Sequence, residues 1–353
     1  QSGWARSVRQ LRRGSQPHMA PVVFEIDRED LVVHGYRVQA PDGQSFLGFS
    51  RHTAIGKESV TLRRDGQQDL VLPAPPDTEV YHNASHFAYV VQQEGRAQGA
   101  LVLQKIENGA PQTVFSPKSG LVLNPHSILL THRHLIWTIE ENLVPRLYAL
   151  DLFDADAEPE EIILPVKAEN IGVRHFDAKS DVGDGTLQLF ATGFTLPPTV
   201  YVFDLKKGVS GVKWRKLFSD PTLFDTQEIS VTLRWAISED GTRVPYHLVM
   251  PARNHGQFEK GATPILMYGY GGFGYGVSTG HNGVLGRLWM EKGGGYVLAH
   301  IRGGSELGPD WHLSAKGPGR HRAFADFAAI ADDLVASGIS EPSRIGCHGG
   351  SNG

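Results

Sequence analysis

The sequence predicts an α/β sheet joined to an all-β half arranged as a partial β-propeller, and three observations lead there. Residues 22–220 are short β-branched and aromatic runs broken by Gly, Pro, Asn and Asp, with hardly any helical period. Within them a strand, loop, strand unit recurs with starts at 87, 135 and 187, which are 48 and 52 residues apart, within the period of four-stranded propeller blades. After residue 220 strands alternate with helical patterns, the order that builds a parallel sheet with right-handed crossovers. The 353 residues exceed the roughly 100 to 200 of a single domain, so the expected division is 1–220, with about four blades at this period, and 221–353.

The repeat units are 86–91 with 99–103, 135–139 with 146–150, and 187–191 with 199–203; a poorer copy surrounds 59–62. The alternative is a β-sandwich of unrelated hairpins. Trp137, Tyr148, Tyr201 and Phe203 read as blade core. His132-Arg133-His134 lacks the spacing of a metal motif and reads as a solvated strand edge. Residues 158–161, three of them acidic, read as a solvated loop.

In the second half, 229–235 and 244–250 form a hairpin about Asp240-Gly241, a strong turn signal. A buried strand follows at 264–268, a helix at 284–291 and a strand at 296–301. Phe324, Phe327, Ala328, Ala331, Leu334 and Val335 recur at three and four residues, marking one apolar helix face that Gly338 ends. The last strand is 344–348, in which Cys347 reads as a small buried residue.

That strand runs into Gly349-Gly350-Ser351-Asn352-Gly353, a match to Gly-x-Ser-x-Gly. In such a turn the backbone passes from strand to helix so tightly that flanking side chains would clash, and the serine hydroxyl is lifted out at the top of the sheet. Placed at the end of a βα-unit strand, the motif predicts an α/β-hydrolase with Ser351 as nucleophile and Gly349, Gly350 and Gly353 shaping the elbow. A rival motif, Gly269-Tyr-Gly271-Gly-Phe-Gly274, fits a dinucleotide loop, but residues 275–280 do not read as a helix start. Its better role is a loop that brings a donor to the serine's oxyanion. A serine needs an adjacent base; His348, His300, His312 and His321 read as structural, because this fold orders its triad as Ser, acid, His.

Composition narrows the function classes. With 34 Lys and Arg against 38 Asp and Glu, net −4, the basic footprint of a nucleic-acid binder is missing. One cysteine excludes an internal disulfide and a cysteine-ligated zinc, and neither a metal nor another cofactor is expected. No apolar run approaches the roughly 18 residues of a membrane span, so no membrane partner and a cytoplasmic location are expected. Arg6, Arg9, Arg12 and Arg13 are followed by no apolar signal core, and the absent initiator Met suggests that Gln1 is not the true start.

These residues carry a family resemblance. Tyr268-Gly-Tyr-Gly-Gly-Phe273, Ile301-Arg-Gly-Gly-Ser-Glu-Leu-Gly308 with Trp311-His312, and Gly349-Gly-Ser-Asn-Gly353 follow one another as in the prolyl oligopeptidase family of serine peptidases. Ser238-Glu-Asp-Gly-Thr-Arg-Val-Pro245 looks like the opening of that family's catalytic domain, and Gly193-Phe-Thr-Leu-Pro197 leading to Tyr201 is a looser likeness in the β half. The resemblance implies an acyl-enzyme on Ser351, an oxyanion hole from the Asn352 backbone N–H and the Tyr270 hydroxyl, and a substrate pocket that Phe273 helps line. It also implies short peptides as substrates, with cleavage after proline; Asn352 favours the prolyl branch over oligopeptidase B, which usually has Ala there. Family members continue past this serine to the triad Asp and His, so the chain resembles a fragment that is inactive by itself. An esterase or acylaminoacyl peptidase on the same fold, or a non-catalytic binding module, are the alternatives.

Overall fold

The computed structural model describes residues 3–40, 42–54, 57–76, 78–91, 99–118, 120–177, 185–251 and 263–353, the side chains of 125 and 126 excepted. The expectation about Gln1 falls outside them. A short hairpin, β1 (Ser7–Arg9) and β2 (Val22–Glu25), precedes four antiparallel sheets of four strands each. The first holds β3 (Val32–Gln39), β4 (Ser45–Ala54), β5 (Lys57–Arg63) and β6 (Leu70–Val71). The second holds β7 (Val80–His82), β8 (His86–Val90), β9 (Leu101–Lys105) and β10 (Gln112–Phe115). The third holds β11 (Leu121–Leu130), β12 (His134–Glu141), β13 (Val144–Asp151) and β14 (Glu160–Ile162), and the fourth β15 (Asn170–His175), β16 (Leu187–Thr192), β17 (Thr199–Phe203) and β18 (Arg215–Ser219).

Each sheet is a meander, its strands paired in chain order, which is the blade pattern of a propeller. The three clear repeat units are the second and third strands of their blades. The poorer copy at 59–62 is a third strand, β5, with β4 as its unread partner. Both faces of a middle strand are covered by neighbouring blades, so β12 is apolar on both: Leu135, Trp137 and Ile139 pack toward the second blade with Leu101 and Leu103, while Ile136 packs toward the fourth with Leu187 and Leu189. Trp137 is 1 % exposed and stacks on Tyr148 at 5.9 Å. The β12–β13 turn is two residues long, with Asn142 and Leu143 at φ 50° and 65°, the doubly left-handed turn that suits strand twist.

Two readings of this half are corrected. His134 is buried, not on a solvated edge, because it begins an inner strand. Glu160 and Glu161 lie in β14, where Arg146 holds Glu161 at 3.2 Å.

The second half is one five-stranded sheet, ordered β19 (Ile229–Ile237), β20 (Arg243–Pro251), β22 (Gly295–Ala299), β21 (Ile265–Gly269), β23 (Ile345–His348). Only β22, β21 and β23 run parallel; β20 pairs antiparallel with both β19 and β22. The sheet is therefore an α/β-hydrolase sheet with an antiparallel hairpin on one side. Gly241, at φ 82°, closes that hairpin as Asp-Gly predicts. Helices α1 (Gly283–Leu288), α2 (Pro309–Leu313) and α3 (His321–Ala336) complete it. The expected helix at 284–291 breaks at Trp289 into a short 3₁₀ turn.

The face that α3 buries is Ala323, Asp326, Ile330 and Leu334, with Phe327 and Ala331 packed beside it, so the expected stripe holds in part and is wrong at its flank. Phe324 is 63 % exposed and Val335 37 %. The helix is rolled so that Asp326 meets Arg302, a stronger demand than either apolar contact. Cys347 is likewise exposed, since β23 is the edge of the sheet in the described residues. The two halves meet on Phe194, which packs with Phe224, Val249, Met290 and Leu298. No helix among the described residues is long and apolar enough to cross a membrane.

Candidate active site

Ser351 follows β23 by way of Gly349 and Gly350 and takes φ 54°, a left-handed conformation that costs an L-residue energy. The turn closes with Gly353 N–H donating to the Gly350 carbonyl at 2.9 Å. A Cβ at Gly349 would meet the Gly353 carbonyl, and one at Gly353 would meet the Gly269 carbonyl. Gly350 has open space around it. The steric demand of the elbow thus falls on the first and last glycines of the motif and not on Gly350.

The loop after β21 seats against this elbow. The Asn352 side chain donates to the Tyr270 carbonyl at 2.6 Å, and a Cβ at Gly272 would strike that side chain. Tyr270 is half-buried, and the Asn352 backbone N–H makes no hydrogen bond among the described residues. Gly274 N–H donates to the Gly303 carbonyl at 3.0 Å, and Arg320 donates to the Gly271 carbonyl. Phe273 takes φ 58° and is 72 % exposed. The sequence-derived residues Tyr270, Asn352 and Ser351 are thus assembled on two facing turns, and Phe273 projects from one of them. No helix opens in this loop before α1, which removes the dinucleotide geometry.

Behind the loop lies an ion-pair network that sequence reasoning missed. Arg302, with 4 % of its side chain exposed, pairs with the fully buried Asp326 at 2.6 Å and with Asp240. It also donates to Ser238 at 3.2 Å, while its own backbone N–H donates to Asp326 at 2.9 Å. Hydrogen bonding to Asp326 holds the guanidinium firmly charged, and hydrogen bonding to Arg302 holds the Asp240 carboxyl well below its usual range. One signal existed: an aspartate on the buried face of an apolar helix needs a cation.

The histidines have other partners. His312 Nδ1 lies 2.9 Å from the Gly303 carbonyl, His321 Nδ1 3.0 Å from the Pro318 carbonyl, and His300 2.8 Å from His247. His348 packs on Tyr268 with ring centroids 5.0 Å apart. No described hydrogen bond joins any of them to Ser351. Among the described residues no group of three His, Cys, Asp or Glu is placed to hold a metal.

Residues 286–353 match the model of the prolyl oligopeptidase family. The last part of the chain, which carries the Ser351 turn, is thus similar to that family. Over its whole length it is 29 % identical to an uncharacterised peptidase of Sinorhizobium fredii, of which it covers 49 %. A prolyl endopeptidase of Elizabethkingia miricola is 31 % identical over 46 % of this chain and 22 % of its own length. Among solved structures, a post-proline cleaving enzyme from Rickettsia typhi superposes on all of the chain and 52 % of its own, with a TM-score of 0.82 at 23 % identity. Oligopeptidase B from Trypanosoma brucei superposes with a TM-score of 0.79 at 18 % identity, over 99 % of this chain and 50 % of its own. The chain thus spans about half the length of the Sinorhizobium and Rickettsia proteins. The fold of the family, a propeller against an α/β-hydrolase sheet, is the fold described above.

Proposed function

We propose that this chain is the propeller-to-elbow part of a longer serine peptidase, with 1–220 as the propeller unit and 221–353 as the first part of the catalytic unit. The observation that carries the reading is the strained Ser351 turn seated on the Tyr270 loop. Ser351 Oγ attacks the scissile carbonyl as a histidine base, supplied from outside these residues, takes its proton. The carbonyl oxygen becomes an oxyanion held by the Asn352 backbone N–H and the Tyr270 hydroxyl. The intermediate collapses, the proton passes to the leaving amine, and water then releases the acyl group from Ser351.

The substrates are short peptides cleaved after proline. The names of the Elizabethkingia and Rickettsia relatives support that preference, and the exposed Phe273 offers an apolar wall for a proline ring. A propeller beside the site would exclude folded proteins. The test is turnover of a proline-containing chromogenic peptide by the longer protein that carries this chain, compared with residues 1–353 alone. Turnover by the longer protein that Ser351→Ala abolishes, with none from 1–353, is expected. Robust turnover by 1–353 would overturn the assignment of the base.

A further inference from the structure

Between the two halves lies a cavity of about 110 Å³ whose titratable lining is Glu140 and Glu169 from the propeller side and His247, His300 and Glu306 from the sheet side, with no Lys or Arg. Glu306 is 4 % exposed, and its Oε1 accepts the Val277 N–H at 2.9 Å. Its Oε2 has no hydrogen-bond partner, and neither has the buried His300 Nδ1, which stands 3.8 Å from Oε1, too far for a hydrogen bond. The opposite nitrogen of His300 shares one hydrogen with His247 Nδ1 at 2.8 Å. One glycine makes room for this carboxylate: a Cβ at Gly304 would collide with it. Residue 277 continues the loop that carries Tyr270 and Phe273.

We propose that Glu306 is a positioning residue that pins this loop through Val277, and that Glu140 of the propeller sets how firmly it does so by bringing a second carboxyl into the same cavity. The consequence for catalysis rests on the peptidase reading above; the contact itself does not. Glu140 accepts from Asn124 Nδ2 at 3.3 Å, and burial with the charge of Glu306 raises its carboxyl above the usual range. Burial raises Glu169 too, against the pull of Lys167. The docked state therefore takes up a proton that the separated halves release. Below the ordinary carboxyl value, 4.5 for Glu140, docking carries no penalty. As pH rises through the raised value, two like charges face each other and the pin loosens. His247 has the opposite sign: burial and His300 push it down to about 3, so acid below its ordinary 6.5 weakens docking. That contribution is common to wild type and Glu140→Gln and cancels in their comparison.

The test is hydrogen exchange at residues 276–278, corrected for intrinsic rates, between pH 5 and 8. Protection in Glu140→Gln is expected to exceed wild type by ~5-fold or more at pH 8, in the range of ordinary coupling, with the excess shrinking as pH falls toward 5. Glu306→Leu is expected to lose the protection at every pH. Equal protection in wild type and Glu140→Gln at pH 8, or full protection in Glu306→Leu, would overturn the proposal. If Glu306→Leu does not fold, Glu140→Gln alone decides. In the longer protein, Glu140→Gln shifts the alkaline limb of kcat/KM upward. Exchange reads the contact without any hydrolysis, so this proposal and the peptidase reading fail separately.

Discussion

Ser351 at φ 54° stores about 1–3 kcal/mol of backbone strain, held in place by the contacts around Gly349 and Gly353. Substituting alanine at Gly353 pushes a methyl into the Gly269 carbonyl, so labelling of Ser351 should fall steeply in Gly353→Ala and barely change in Gly350→Ala. In the longer protein Tyr270→Phe should lower kcat by about 10²–10³ with little change in substrate binding, the usual loss for one oxyanion donor; acylation within twofold of wild type would reject that role. Arg302→Ala should cost about 3–5 kcal/mol, because it strands the buried Asp326 charge, and denaturant melts measure it. Asp240, the half-exposed partner of Arg302, is held low in the folded state. Its contribution is present above its ordinary value of 3.8 and fades as pH falls through the lower folded one. Asp240→Asn should flatten that acid limb in melts at pH 2 to 4.

At the scale of elements, inner strands were legible and outer ones were not. β8 and β12 are apolar on both faces because blades cover both, and β16 carries one strictly alternating apolar face in Leu187, Leu189 and Ala191, whereas β6, at two exposed residues, and β10 carry little pattern. The roll of α3 could not be read, since the partner that fixes it, Arg302, is 24 residues away from Asp326. The same holds for Cys347, whose exposure depends on strand order and not on local sequence. The Ser351 turn was legible because the elbow is a local steric device, whereas the parts given to Asn352 and Tyr270 came from the family resemblance. The cavity of Glu140 and Glu306 was not, because it exists only where the halves meet. Trp137→Ala should cost about 3–5 kcal/mol, as its indole fills the interface between the second and third blades. Phe324→Ser should stay within about 0.5 kcal/mol, given its exposure; a larger loss in thermal melts would mean that α3 sits differently.

At the scale of the whole molecule, the propeller and the hydrolase sheet share the Phe194 cluster and the acidic cavity. In the longer protein a short peptide should be cleaved and a folded protein of the same composition spared; equal rates would remove the filtering role. The central claim is that Ser351 is the nucleophile, and peptide mapping of that longer protein after reaction with an organophosphonate tests it most directly. One adduct is expected, on Ser351, rising in step with loss of peptidase activity and absent from Ser351→Ala. Complete inactivation with Ser351 unmodified, or an adduct on another serine, would contradict it.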